Sequence, residues 1–598
     1  MQFKNDGICP EGVIFSDLGN LCRPAENITS SRVKNKWTSV PYETSTVSGT
    51  MLSAFSTMTP EPVTLEPNLT GWYKIYVCML NHRNENMAFL RLTKDEAQST
   101  LRPCGVGHRI WWGWENLEES FWKCADMTGQ SVEICRRSGI SVPGCQVAWI
   151  RFVPMTEEEI AQWQYDEVRT DTKRLFATHD MFSSVAVEGS ITTKDWLSGI
   201  ENVKHSDVEI LSLDTVYFPV EYDPAKGEEY ACYTPEREDL YYELLKKRKE
   251  LYWELVEAGH RNGLKIYSGR RMGLKIGGAF PYDGEDFETE FGQAHMDLRC
   301  KNRDGAWVES ISMAYPEAQE QVVKEIRQLP ELGIDGILLI FTRGVFLLFE
   351  EPFVERFREK YPGVNPCELP LEDERVMEVH CEIMTGLMRK IRRAVDDECE
   401  RLGREPIAIH THVGRSLRSN RMIGLDVETW ARENLIQGFT AYPMSIEERL
   451  EGEMQEEHPE RIDLEKYTQK SRESFHKIVH REIEGHEMRH VELPFVKEYV
   501  EMAKKYGVRA YFDIMYRDNP AEQYCKDALE VIEQGAEYLS LWDVDCRAMR
   551  RSQWVAASRL GHLEELKQGT LIQNPSTIYR ILSIDGKNIS TYHPSWIG

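Results

Sequence analysis

The chain has 598 residues, 41% apolar and 10% aromatic, which is enough to bury two or three cores rather than one. Lys plus Arg number 72 against 98 Asp plus Glu, a net charge of −26 that opposes a phosphate backbone and excludes nucleic acid as an expected partner. A neutral or cationic small molecule suits that balance.

The N-terminal MQFKNDGICPEG has neither the basic nor the apolar region of a signal peptide. No run approaches the ~18 apolar residues of a membrane span, because Arg343 interrupts the best candidate. The 14 cysteines include no C-x-x-C pair, so reduced, buried thiols are expected rather than a disulfide framework. A cytoplasmic location with no membrane partner follows as the expectation, and a homo-oligomer is compatible with it.

Residues 1–155 read as all-β. GWYKIYVCML (71–80) alternates Tyr73, Ile75, Val77 and Met79 against Lys74, Tyr76 and Cys78, and MAFLRLT (87–93) and CQVAWIRFVP (145–154) continue the pattern. So many short strands without a helical period predict a β-sandwich, jelly-roll-like in type. Trp111, Trp112 and Trp114 would either lend a loop to a neighbouring domain or fill the sandwich core. Residues 156–173 are charged and polar, and read as a connecting helix or linker.

From 174 onward strands and helices alternate. The predicted strands are 174–180, 208–214, 264–271, one within ELGIDGILLIFTRGVFLLFEEP (331–352), 406–412, 436–443, 508–515 and 536–543. A helical pattern follows or separates each, including 235–263, 315–330 and 373–401. Eight such units over 174–570 predict an α/β protein with a (β/α)8 TIM barrel after the all-β sandwich domain. No G-x-G-x-x-G follows any strand, which disfavours an open doubly wound sheet. The acidic stretch 444–493 reads as an insertion over the C-terminal face of the barrel, where it would shape a pocket. Residues 571–598 read as a β-hairpin tail turning at Asp585-Gly586.

In such barrels chemistry sits where the strands stop, and alternation selects the inward side chains. On strand 7, Ala510, Phe512 and Ile514 face the helices, leaving Asp513 inward with Tyr511. On strand 5, His410 and His412 share the inward face. Asp214 ends strand 2, His179-Asp180 ends strand 1, and strand 3 runs into Arg270 and Arg271. Trp542 and Asp543 close strand 8, and an indole at a barrel mouth is a platform for the apolar face of a sugar ring. Asp426 opens a helix and reads as its N-cap. Acids, arginines, histidines and aromatics on one rim, without a phosphate-gripping loop, suit carbohydrate chemistry.

GIDGILLIFTRG (333–344) followed by FEEP (349–352), GLDVETWARENLI (424–436) and GAEYLSLWD (535–543) resemble the glycosyl-hydrolase-like TIM-barrel proteins grouped near glycoside hydrolase family 10. The order and spacing agree over roughly residues 174–560. That resemblance implies a β-sandwich with a (β/α)8 domain and cleavage of a glycosidic bond by two carboxyl groups. It also implies an acid on strand 4, where this chain has Leu338 and Ile340 instead.

The catalytic acids expected here are therefore Glu351 or Glu350, paired with Asp513 or Asp543. Trp542 and Tyr442 would stack on sugar, and His179, Asp214, Arg270, Arg343, His410 and His412 would bind it, with no cofactor and no metal. A catalytically silent carbohydrate-binding barrel, and a metal-dependent hydrolase or isomerase using His410 and His412, stay open as alternatives.

Overall fold

The computed structural model describes residues 2–3, 11–55, 58–81, 86–103, 116–137, 144–181, 192–214, 248–273, 291, 294–342, 345–443, 494–514, 521–544 and 551–588. Trp111, Trp112, Trp114, Arg343 and the 444–493 insertion lie outside these residues, as does the first part of the helix predicted over 235–263.

The N-terminal strands, together with two strands from the C-terminal tail, form a ten-stranded and a four-stranded sheet. In the larger sheet Trp72–Leu80 pairs antiparallel with both Asn116–Asp126 and Cys145–Pro154. Its alternation works as the sequence implies, since Ile75, Val77 and Met79 enter one apolar cluster with Leu90 and Ile134 of the smaller sheet. The opposite face is also covered, and Cys78 sits in a second cluster with Trp149, Tyr579 and Ile581.

Two members of that second cluster come from the far end of the chain. The strand Thr577–Ile584 pairs with Asn116–Glu119 along one part of its length and with Tyr42–Thr44 along another, so it bridges two strands of the N-terminal sheet. It then turns at Asp585 and Gly586, both at positive φ, into Lys587–Asn588. Tyr579 packs edge-on against Trp149 at 5.0 Å, and Ile581 is fully buried. Replacing Ile581 by Ala is expected to cost about 2–5 kcal/mol by creating a cavity. Chemical denaturation would check this, and a loss below 1 kcal/mol would show that the tail strand adds little to the sheet.

The helix α1 (Glu157–Val168) leads from the sheets to the barrel, opened by a capping box in which Thr156 and Glu159 each satisfy the other's backbone N–H. Eight parallel strands then close on themselves. They are β1 (Leu175–Asp180), β2 (Val208–Asp214), β3 (Lys265–Arg271), β4 (Gly336–Ile340), β5 (Ala408–Val413), β6 (Gly438–Ala441), β7 (Arg509–Asp513) and β8 (Tyr538–Leu541). Closure is made by Leu175–Ala177 against Leu539–Leu541.

Outward residues such as Leu211, Ile266, Ile337, Ile409 and Phe512 pack under helices, including α2 (Ser198–Val203), α3 (Pro316–Arg327), α4 (Glu351–Lys360) and α5 (Arg551–Ala557). Inward residues Phe176, Ile210, Tyr267, Leu338, Ile340, Tyr511 and Trp542 form their own cluster, so the barrel is filled rather than hollow. Asp426 accepts from the backbone N–H of Thr429 at 3.0 Å and caps the following helix. Among the described residues no helix is long and apolar enough to cross a membrane.

Candidate active site

Period-two alternation from the inward cluster identifies what reaches the C-terminal mouth. Counting from Phe176, β1 turns Thr178 and Asp180 inward. Counting from Ile210, β2 turns Ser212 and Asp214 inward. Asp180 and Asp214 stand opposite each other in the parallel register. Asp214 is 1% exposed, and Ser212 Oγ donates to its Oδ1 at 2.8 Å.

Burial pushes the Asp214 carboxyl well above the usual carboxylate range. The Ser212 hydroxyl and Arg271 pull it down, while the neighbouring Asp180 and Asp543 push it further up. On β3 the facing position is Gly269, and an added Cβ there would fall 1.9 Å from Asp214 Oδ1. A glycine is therefore needed for the Asp214 carboxyl to occupy its place.

The other side of the mouth is aromatic. His412 Nδ1 and Thr342 Oγ1 are 2.9 Å apart, which fixes the imidazole. The ring lies 4.5 Å from Trp542 and 5.0 Å from Tyr442, and those two are 5.9 Å apart, forming a three-ring wall. After Trp542 the chain reaches Asp543 at φ +54, an uncommon backbone conformation that Asp tolerates. The backbone N–H of Asp543 donates to Thr178 Oγ1 at 2.9 Å, which ties the end of β8 to β1. Asp513 is fully buried on the inward face of β7, in register with Ser540.

His410 lies deeper than His412. It stacks on Phe176 at 4.6 Å, its Nε2 is 3.0 Å from Thr440 Oγ1, and an added Cβ at Gly438 would fall 2.8 Å from its Nδ1. Burial pushes its pKa down to about 3, so the ring is neutral and belongs to the packed interior. The two histidines thus bond different partners, Thr440 for His410 and Thr342 for His412. Among the described residues no group of three or more Asp, Glu, His or Cys is arranged to hold a metal ion.

Besides His410, four residues expected at the site are placed elsewhere. His179 faces outward, where a Cβ on Gly199 of α2 would meet its Nε2 at 3.0 Å, and alternation gives the inward position to Asp180. Arg270 also faces outward and donates to Glu325 of α3 at 2.9 Å. Arg271 shares the inward face with Gly269. Glu350 is fully buried as the N-cap of α4, accepting from Ser312 Oγ and from the backbone N–H groups of Lys301 and Leu348, the latter two at 3.3 and 3.1 Å. Glu351 is exposed, bonded to Lys301 and to the Tyr315 hydroxyl. Among the described residues, the side-chain bonds of these two glutamates go to Lys301, Ser312, Tyr315 and Leu348, none of them an inward side chain of the barrel.

The structure thus gathers Asp214, Asp543, Asp513, His412, Tyr442 and Trp542 on the inward face, adding Asp180, Arg271, Ser212 and Thr342. The signal for Asp180 and Arg271 was the parity of their strands, counted from Phe176 and Tyr267 rather than from the strand ends.

No protein-family model matches the chain, and no curated protein sequence matches it. Among solved structures, it is similar to the PgaB (BpsB) glycoside hydrolase domain from Bordetella bronchiseptica, at 11% identity over 65% of this chain and 96% of that one, with a TM-score of 0.36. It is similar to the Podospora anserina GH26-CBM35 β-(1,4)-mannanase at 8% identity, over 92% and 94% of the two chains, with a TM-score of 0.27. A Haloferax volcanii malate synthase gives 12% identity over 65% and 75%, with a TM-score of 0.30.

Proposed function

We propose that the chain is a glycoside hydrolase in which Asp214 is the general acid and Asp180 the nucleophile. The observation that carries this reading is a fully buried inward carboxyl, whose pKa burial pushes well above the usual carboxylate range, in register with a second carboxyl on the adjacent strand. Neighbouring strands lie about 4.8 Å apart. Carboxyls on the same face at that spacing approach the ~5–5.5 Å of enzymes that retain anomeric configuration.

In this reading Asp214 gives its proton to the glycosidic oxygen as the Asp180 carboxylate attacks the anomeric carbon. The aglycone leaves as an alcohol and a glycosyl ester forms on Asp180. Asp214, now ionised, takes a proton from the water that opens the ester, and both groups return to their starting state. Trp542 and Tyr442 would hold a sugar ring face-on, with His412 and Arg271 bonding its hydroxyls. The N-terminal sheets are read as a β-sandwich domain attached to this barrel, in keeping with the resemblance to proteins near glycoside hydrolase family 10.

A panel of p-nitrophenyl glycosides and oligosaccharides, assayed with and without chelator, tests the activity. The expected result is turnover indifferent to chelator, with the first-formed anomer retaining the substrate's configuration by NMR. Inversion would overturn the Asp180–Asp214 pairing. Absence of turnover on every member of the panel would overturn the hydrolase reading.

A further inference from the structure

A cleft runs along α1, where the N-terminal sheet meets the end of the barrel opposite the mouth. Two contiguous hollows of ≈ 200 Å³ and ≈ 460 Å³ share Lys123, Cys124, Trp163 and His205. The partly exposed Trp163 of α1 stands between them, its ring 5.5 Å from that of His205. Trp554 lines the first hollow and Trp72 the second.

Apart from Lys94 and Asp126 of the second hollow, which bond Thr128, the charged groups on these walls are already matched. Lys123, 8% exposed, binds Asp95 at 2.9 Å and Glu201 at 2.8 Å. Lys74 binds Glu159 at 2.6 Å, Arg559 binds Asp166 at 3.2 Å, and His205 binds Glu167. A charged ligand entering the first hollow would have to break one of these pairs and strand a partly buried partner, which is costly. A neutral ligand would not, and paired carboxylates keep lone pairs that accept hydroxyl protons. Indoles offer flat apolar faces beside those acceptors, a combination that fits sugar rings. Two hollows flanking one indole fit a chain of rings, and the larger, at ≈ 460 Å³, lies within the ~300–1,000 Å³ of ordinary ligand sites.

We propose that this cleft is a second carbohydrate site, remote from the barrel mouth, that holds a short neutral oligosaccharide across Trp163. It stands independently of the chemistry at the mouth. The site would anchor a polysaccharide while another part of the chain reacts, and a linked pair of sites raises the effective concentration at each.

The test is calorimetric titration of the full chain carrying Asp214→Asn, to prevent turnover, with xylo-, cello-, manno- and laminari-oligosaccharides of three to six units. At least one is expected to bind. Adding Trp163→Ala should weaken that binding about tenfold or more, roughly the loss of one good contact. Trp163→Phe should keep part of it, and Trp542→Ala, which removes a stacking ring at the mouth, should lower the number of oligosaccharides bound per chain without removing the Trp163-dependent one. The proposal is overturned if no neutral oligosaccharide binds, or if binding is lost with Trp542→Ala and kept with Trp163→Ala. It is likewise overturned if uronic or sulfated oligosaccharides bind more tightly than the neutral ones.

Discussion

Asp214→Asn is expected to cut turnover by roughly 10²–10⁴-fold, the usual contribution of a general acid, with little change in melting temperature. The amide has the shape of the acid and still accepts from Ser212 Oγ, but it has no proton to give. The loss should be largest for substrates with poor leaving groups, since a p-nitrophenolate departs with little help.

The pH profile adds a sharper check. Because the acid must be protonated, activity should fall as pH rises through the elevated pKa of Asp214. Asp180 is among the groups pushing that pKa up, so Asp180→Asn should move this basic limb to lower pH in whatever activity remains. If Asp214→Asn kept more than a tenth of wild-type turnover on an alkyl glycoside, the assignment of the acid would be wrong.

Glu350→Gln is expected to leave turnover near wild type and to flatten the dependence of stability on pH. Burial pushes this carboxyl from 4.5 up to about 7, against the pull of the Ser312 hydroxyl and three backbone N–H contacts. The folded chain therefore binds more of a proton than the unfolded chain between those two values. Stability from this group is fully present below about pH 4.5 and is lost as pH rises through about 7. The span of about 2.5 pH units corresponds to roughly 3 kcal/mol.

Gln keeps an acceptor for Lys301 and Leu348 and can donate to Ser312 without ever ionising. At pH 8 it should be at least as stable as wild type in urea. Glu350→Ala should instead cost about 1–3 kcal/mol for each buried N–H left unsatisfied. A Glu350→Gln protein that folds well yet loses turnover would return this residue to the chemistry, and would weaken the case for Asp214.

Much of the barrel was legible because its signals are local. Strand period, helix period and caps are written within ten or so residues, as with Asp426 opening its helix. Counting eight alternating units was then enough to expect closure. Alternation also placed Asp214, Asp513, His412 and Trp542 on the inward side, because side chains on a strand change face at every residue. The same rule explains the misplacements. His179 and Arg270 are each one residue from Asp180 and Arg271, and a one-residue shift in where a strand is counted reverses every side chain.

Other features depended on contacts that no local pattern encodes. Glu350 and Glu351 follow β4 and read alike, but helix α4 starts between them, so one is sealed against Ser312 and Lys301 while the other is exposed. The tail strand Thr577–Ile584 carries an ordinary strand pattern, and only long-range pairing makes it bridge Asn116–Glu119 and Tyr42–Thr44. By itself, then, the sequence determined the alternating elements and the facing of most mouth residues, since both follow from the chain's short-range geometry. The tertiary structure alone decided which carboxyls are neighbours, which are desolvated and which strand completes the N-terminal sheet, because register, burial and field arise only when distant segments meet.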